Sequence, residues 1–194
     1  MPDENTLFPL DGYNKLCFLK NIIKNPNIVV DYTYYDDFDN VENFEKNVKY
    51  HFDFIGDKLI IKFCMIASVS FIMNGANHLT NSLSSYPFAI FGEDWKTAME
   101  KSYPNKDTIV SDVWIYNVTI MPIHIDGAII AANSTVVKNV LPYTIVNPAT
   151  EIKQRFSQEK IDTLLKLQWW NWPIDKISQN VQNLTGDDIE KLDK

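Results

Sequence analysis

VSDVWIYNVTIMPIHIDGAII, residues 110 to 130, places Val110, Ile115, Ile120, Ile125 and Ile130 five residues apart. Val113, Val118, Ile123 and Ala128 form a second ladder, three positions after each of the first four. A helix groups apolar residues at spacings of three and four and a strand at two, so a sustained period of five belongs to neither. It describes a stacked solenoid in which every rung gives side chains to one shared core.

Composition sets the bounds around that ladder. With 194 residues, 45% of them hydrophobic and 13% aromatic, the chain reads as one globular domain over 1–194. A net charge of -7 and a pI near 4.9 argue against a broad nucleic-acid surface, which needs clustered Lys and Arg. Cys17 and Cys64 are too few for a disulfide framework and lack metal-ligand spacing, so both read as reduced thiols and no metal is expected. The first residues, MPDENTLFPLDGYN, are acidic where a signal peptide would be basic and then apolar. No run of about 18 apolar residues occurs, so a cytoplasmic protein with no membrane partner is expected.

The flanks of the ladder divide the chain further. Ile28 to Tyr35 reads as one strand of β-branched and aromatic residues, followed by an acidic loop from Asp36 to Glu45. Lys58 to Met73 is apolar again, and 74–108 is a polar excursion too long for an ordinary connection. Pro142 and Pro148 close the repeats, because proline cannot donate to a strand ladder. Ser157 suits the cap of a helix carrying Ile161, Leu164, Leu165 and Trp169, and Pro173 the first turn of another carrying Ile174, Ile177, Val181 and Leu184. Trp169, Trp170 and Trp172 read as the packed junction between these helices rather than as a binding box.

A period of five also occurs in quadrilateral β-helices, but their Ala-Asp/Asn-Leu-x-x pattern is not the one seen here. DVWI at 112–115, TIMP at 119–122, DGAIIAANSTVV at 126–137, PYTIV at 142–146, NPATEIKQRF at 147–156 and WWNWPIDKI at 169–177 resemble the hexapeptide-repeat xenobiotic acetyltransferases, over roughly residues 28 to 180. The resemblance implies a mainly β fold: a left-handed parallel β-helix over 28–148, with the long loop inserted at 74–108 and C-terminal α-helices over 157–194. It also implies acetyl-CoA as donor and a homotrimeric assembly.

One departure from the family is systematic. The sides from Val110 to Ile130 are each one residue short of six, and the family pattern would supply the missing residue as a corner glycine; only Ile130 to Val136 keeps the longer step. Six glycines make up about 3% of the chain against a usual ~7%. Either other residues rebuild the corners, or the molecule carries glycines beyond these 194 residues. The second is the expectation, to be tested by an intact mass above 22.5 kDa.

Chemistry must come from outside the ladder. Of three histidines, His124 lies within a rung and reads as an exposed corner, and His51, between Tyr50 and Phe52, reads as structural more readily than as a pocket residue. His78 leaves an apolar rung through an Asn-Gly turn directly into the excursion, a position suited to a base held between rigid scaffold and covering loop. NGANH at 74–78 resembles the catalytic motif of streptogramin A acetyltransferases, whereas type B chloramphenicol acetyltransferases have a longer, Gln-containing version. The resemblance makes His78 the catalytic residue, because an imidazole can take a proton from an alcohol and return it to a leaving thiolate. It also points to Tyr35, Tyr50, Trp114 and Tyr103 as substrate contacts, with Tyr34, Asp36, Tyr86 and Phe88 near them. Ala132 and Asn133, with the adjoining Ala131, would follow the pantetheine arm; Asn147 belongs to the same cleft, and Lys138, Lys153 and Arg155 would meet its phosphates. Three functions compete: acetylation of a streptogramin A antibiotic, acetylation of chloramphenicol or another small alcohol, and a non-catalytic solenoid that binds a protein.

Overall fold

The computed structural model of the chain describes residues 3–76, 83–84, 86, 88–98, 106–148 and 151–192. After β1 (Leu16–Phe18), strands follow in threes: β2 (Ile28–Asp31), β3 (Tyr34–Asp36) and β4 (Val48–Lys49), then β5 (Leu59–Lys62), β6 (Met65–Ala67) and β7 (Ser70–Ile72). Beyond the excursion come β8 (Thr108–Ser111), β9 (Trp114–Tyr116) and β10 (Thr119–Ile120), then β11 (His124–Asp126), β12 (Ile129–Ile130) and β13 (Thr135–Val136). β14 (Thr144–Val146) and β15 (Glu151–Gln154) end the sheets, and the helices α1 (Gln158–Leu167) and α2 (Ile174–Leu184) follow.

The first strand of each set joins one parallel sheet, β2-β5-β8-β11, the second joins β3-β6-β9-β12-β14, and the third joins β4-β7-β10-β13. We refer to these as faces one, two and three. Faces visited in that fixed order make the expected left-handed parallel β-helix of triangular section. Antiparallel β1 and β15 pair with the two ends of face two, covering edges that would otherwise template pairing with another chain.

Register explains the period of five. Val110, Ile115 and Ile120 occupy one level, one residue per face, and Val110 pairs with Ile61 below and Ile125 above. Ile115 stacks on Ile66 and under Ile130, and Ile120 on Phe71 and under Val136. All are buried, each worth roughly 1.5–3 kcal/mol. The second ladder is the corners. Tyr32, Phe63, Ser68, Asp112, Asn117, Gly127, Asn133 and Tyr143 all have positive φ. Each is followed by a buried small or branched residue: Thr33, Cys64, Val69, Val113, Val118, Ala128, Ser134 and Thr144. A left-handed residue turns the chain and the next side chain points inward.

The structure therefore closes five-residue sides with residues other than glycine at every such corner but Gly127. The longer side differs by Ala132, which sits between β12 and the left-handed Asn133. Ile28 to Tyr35 is likewise not one strand, as its composition suggests, because Tyr32 at φ 41° breaks it into β2 and β3 across a corner.

Past the coil, Ser157 Oγ accepts the Lys160 amide to cap α1, and Gln168 in the left-handed region ends it. Ile161, Leu164 and Trp170 form a second core with Tyr143 and Leu192, and Trp172 Nε1 donates to Leu167 O at 3.1 Å. Trp169 and Trp170 pack at the helix junction, as the apolar area of these side chains leads one to expect. Among the described residues no helix is long and apolar enough to cross a membrane.

Candidate active site

The excursion leaves from face three and returns to face one, and both ends are tied together at that corner. Asn74 is buried: its amide and its Nδ2 donate to Asp57 Oδ2 at 3.0 and 2.6 Å, and Nδ2 also reaches Lys106 O at 2.7 Å. Asp107 accepts the Lys58 amide at 2.8 Å, on the returning end. The Gly75 amide donates to Tyr50 O at 3.0 Å, and a Cβ on Gly75 would lie 2.3 Å from that oxygen and 2.5 Å from the Phe52 ring. Only glycine permits this approach. Tyr50 is 52% exposed beside this turn, in the left-handed region at φ 58°. His78 and Tyr103 lie outside the described residues.

A groove of about 380 Å³ opens on face two, lined among others by Tyr34, Asp36, Phe38, Met65, Trp114 and Tyr116. Alternation along a strand sends every second side chain outward, and parallel register stacks Tyr34, Met65 and Trp114 in one column and Asp36, Ala67 and Tyr116 in the next. Trp114 is 54% exposed, and Phe38, Met65 and Tyr116 are exposed with it. An apolar patch of this kind marks a surface that meets a ligand or partner. Tyr13 donates to Asp36 at 3.2 Å at the groove's margin, and burial, followed by the nearby Asp36 charge, raises the Tyr34 phenol pKa. Met65, Phe38 and Tyr116 were not legible as groove residues in sequence, because the column is set by register between strands about 30 to 50 residues apart.

The corner between faces two and three carries the inferred donor strip. Asn133 stacks on Asn117, their backbones joined by a bond of 2.8 Å and their side chains by one of 2.6 Å, with Ser68 below. The Ala131 amide donates to Val146 O at 2.9 Å, which brings Asn147 to the same edge beside Ala132. Ala131 and Ala132 place small, half-buried side chains along this edge. Lys153, exposed on β15 opposite Ile145, extends it, whereas exposed Lys138 stands past β13, one face on.

Two expected site residues are corrected. Tyr35 is 0% exposed: its ring packs edge-on against Phe44, and its hydroxyl donates to Asp37 and accepts from Asn47, so it belongs to the core while its neighbours Tyr34 and Asp36 face the groove. Arg155 is drawn under the C-terminal helices, donating to Gly127 O with its guanidinium 5.7 and 5.1 Å from the Tyr143 and Phe156 rings. It clamps the seam and does not reach the donor strip. Beside it, burial pushes the Asp112 carboxyl up to about 7, against the opposing pull of Arg155. His51 is structural, as expected, with Nε2 donating to Asp57 O at 2.9 Å and Nδ1 left to accept from Asn25. His124 is exposed as expected, though on β11 and not at a corner, and Nε2 lies 2.9 Å from Asp126.

Trp114 and the excursion's anchor thus lie on opposite sides of one prism, since face two is opposite the corner joining faces three and one.

Comparison with known proteins adds sequence relatives. A probable macrolide acetyltransferase of Lysinibacillus sphaericus is 56% identical over 157 residues, 75% of this chain and 87% of that protein. A virginiamycin A acetyltransferase of Staphylococcus aureus is 46% identical, covering 98% of this chain and 92% of its own. A chloramphenicol acetyltransferase of Morganella morganii is 42% identical, covering 91% and 90%. No family model matches the chain.

Proposed function

The chain belongs to the hexapeptide-repeat xenobiotic acetyltransferases and is an acyltransferase, and from that premise we propose that it moves an acetyl group from acetyl-CoA to a hydroxyl of a streptogramin A antibiotic, with His78 as general base. The observation that carries the acceptor reading is the aromatic groove on face two, where exposed Trp114, Met65 and Tyr116 offer apolar surface to a large ligand. The NGANH form of 74–78 and the virginiamycin A relative favour streptogramin A.

In this reading the neutral imidazole of His78 takes the acceptor's hydroxyl proton as that oxygen attacks, then passes it to the departing sulfur, so no acyl-enzyme forms. The strip at Ala132, Asn133 and Asn147 aligns the donor, and Lys138 and Lys153 offer charge to its phosphates. Because groove and excursion anchor sit on opposite sides of one prism, a site using both is completed by a second copy. That geometry supports a homotrimer, in which each corner is brought to a neighbour's face.

Chloramphenicol is the second reading, favoured by relatives of that name. CoA release measured in parallel with the two acceptors separates the readings, and release with neither refutes both. Sedimentation tests the trimer, and cell fractionation tests a cytoplasmic location.

A further inference from the structure

Asp57 is fully buried, yet no step above uses it. Its Oδ2 takes two donors from one residue, the amide and the Nδ2 of Asn74. Among the described residues its Oδ1 has no hydrogen-bond partner, lying 3.8 Å from His51 Nε2, and its own carbonyl receives that Nε2–H. The chain Asn25–His51–Asp57–Asn74–Lys106 thus joins four separate segments at the excursion's base. Burying a carboxylate is costly, and one with an unmet oxygen costs more, so a site built only for stability would favour a neutral acceptor here. Fixing both donors of Asn74 removes the freedom of the turn that begins NGANH, four residues before His78.

We propose that Asp57 is a positioning residue for acyl transfer, acting through Asn74 to fix where the segment bearing His78 leaves the β-helix. The inference rests on the reading of His78 as base. It predicts a loss in kcat and little change in KM for acetyl-CoA, since the donor strip lies along another corner.

The test uses the full chain as wild type, Asp57→Ala, Asp57→Asn, Asn74→Ala and the double Asp57→Ala/Asn74→Ala, with His78→Ala as reference. Amide exchange at Asn74 and Gly75 is measured with kcat and KM for CoA release. Asp57→Ala is expected to speed exchange at both amides and to lower kcat by up to about 10²-fold, the scale of a misplacement of about 1 Å, with KM for acetyl-CoA within about twofold. Asp57→Asn keeps an oxygen for both Asn74 donors and should recover most of that loss. The double variant should be no worse than the poorer single one, as for two residues acting as a unit.

Unchanged exchange in Asp57→Ala overturns the clamp. Faster exchange with wild-type kcat, where His78→Ala is inactive, overturns the positioning role. If Asp57→Ala does not fold, Asn74→Ala decides by the same two readouts, with exchange read at Gly75: wild-type exchange or wild-type kcat overturns the inference, and faster exchange with a lowered kcat supports it. If His78→Ala stays active, the base reading fails while the exchange data still decide the clamp.

Discussion

Replacing Asp112 by Asn should remove a pH dependence built into the seam beneath the C-terminal helices. Asp112 occupies a corner before Val113, near Arg155 and Asp126, with Trp169 donating to it. Burial raises its pKa from 3.8 to about 7, with Arg155 the main opposing influence. Between those values the folded chain holds a proton that the unfolded chain has released. Stability from this group is therefore complete below about pH 4 and is lost as pH rises through 7. Three units correspond to at most ~4 kcal/mol, at ~1.4 kcal/mol per unit. The amide introduced by Asp112→Asn cannot ionise but leaves Arg155 without its attraction, so we expect the variant to gain about 2 kcal/mol over wild type between about pH 4.5 and 8. Urea unfolding at fixed protein concentration across that range measures the difference. A gap between the two proteins that does not change with pH would refute the reasoning.

Other outcomes follow from the same structure. His78→Ala should lower CoA release by at least about 10²-fold, the usual contribution of a general base. Trp114→Ala should raise KM for the antibiotic about tenfold with stability shifted by less than ~1 kcal/mol, because the side chain is half exposed; equal KM in both proteins would remove the groove from the acceptor site. Gly127→Ala puts a Cβ 2.3 Å from the Tyr143 ring at φ +63°, so a loss above about 2 kcal/mol is expected on thermal melting, with Tyr143→Leu restoring part of it. Left-handed aromatic residues at Tyr32, Phe63 and Tyr143 cost roughly 1–2 kcal/mol each. An intact mass of 22.5 kDa is the expected result, since left-handed residues other than glycine already close the corners, and a mass higher by several glycines would refute that closure.

Residue identity alone settled the solenoid, its interruption at 74–108 and the amphipathic C-terminal helices, because each rests on local periodicity or on the rigid chemistry of proline. The same local information singled out His78 as the histidine that leaves a rung, and the family resemblance suggested the base role proposed for it. Periodicity also showed the second ladder, but only the backbone revealed why it exists: a left-handed residue such as Asn117 turns the chain and the next side chain falls inward. Tyr34 and Tyr35 are adjacent and alike in sequence, yet one lines the groove and the other the core, since a corner at Tyr32 sets the phase of β3. The fates of Arg155 and Asp57 were decided by contacts across 28 and 17 residues of sequence, with Gly127 and Asn74. Composition and spacing carry one-dimensional order, which is why the ladder could be read from the chain, whereas the groove column, the clamp and the seam depend on stacking one coil upon the next.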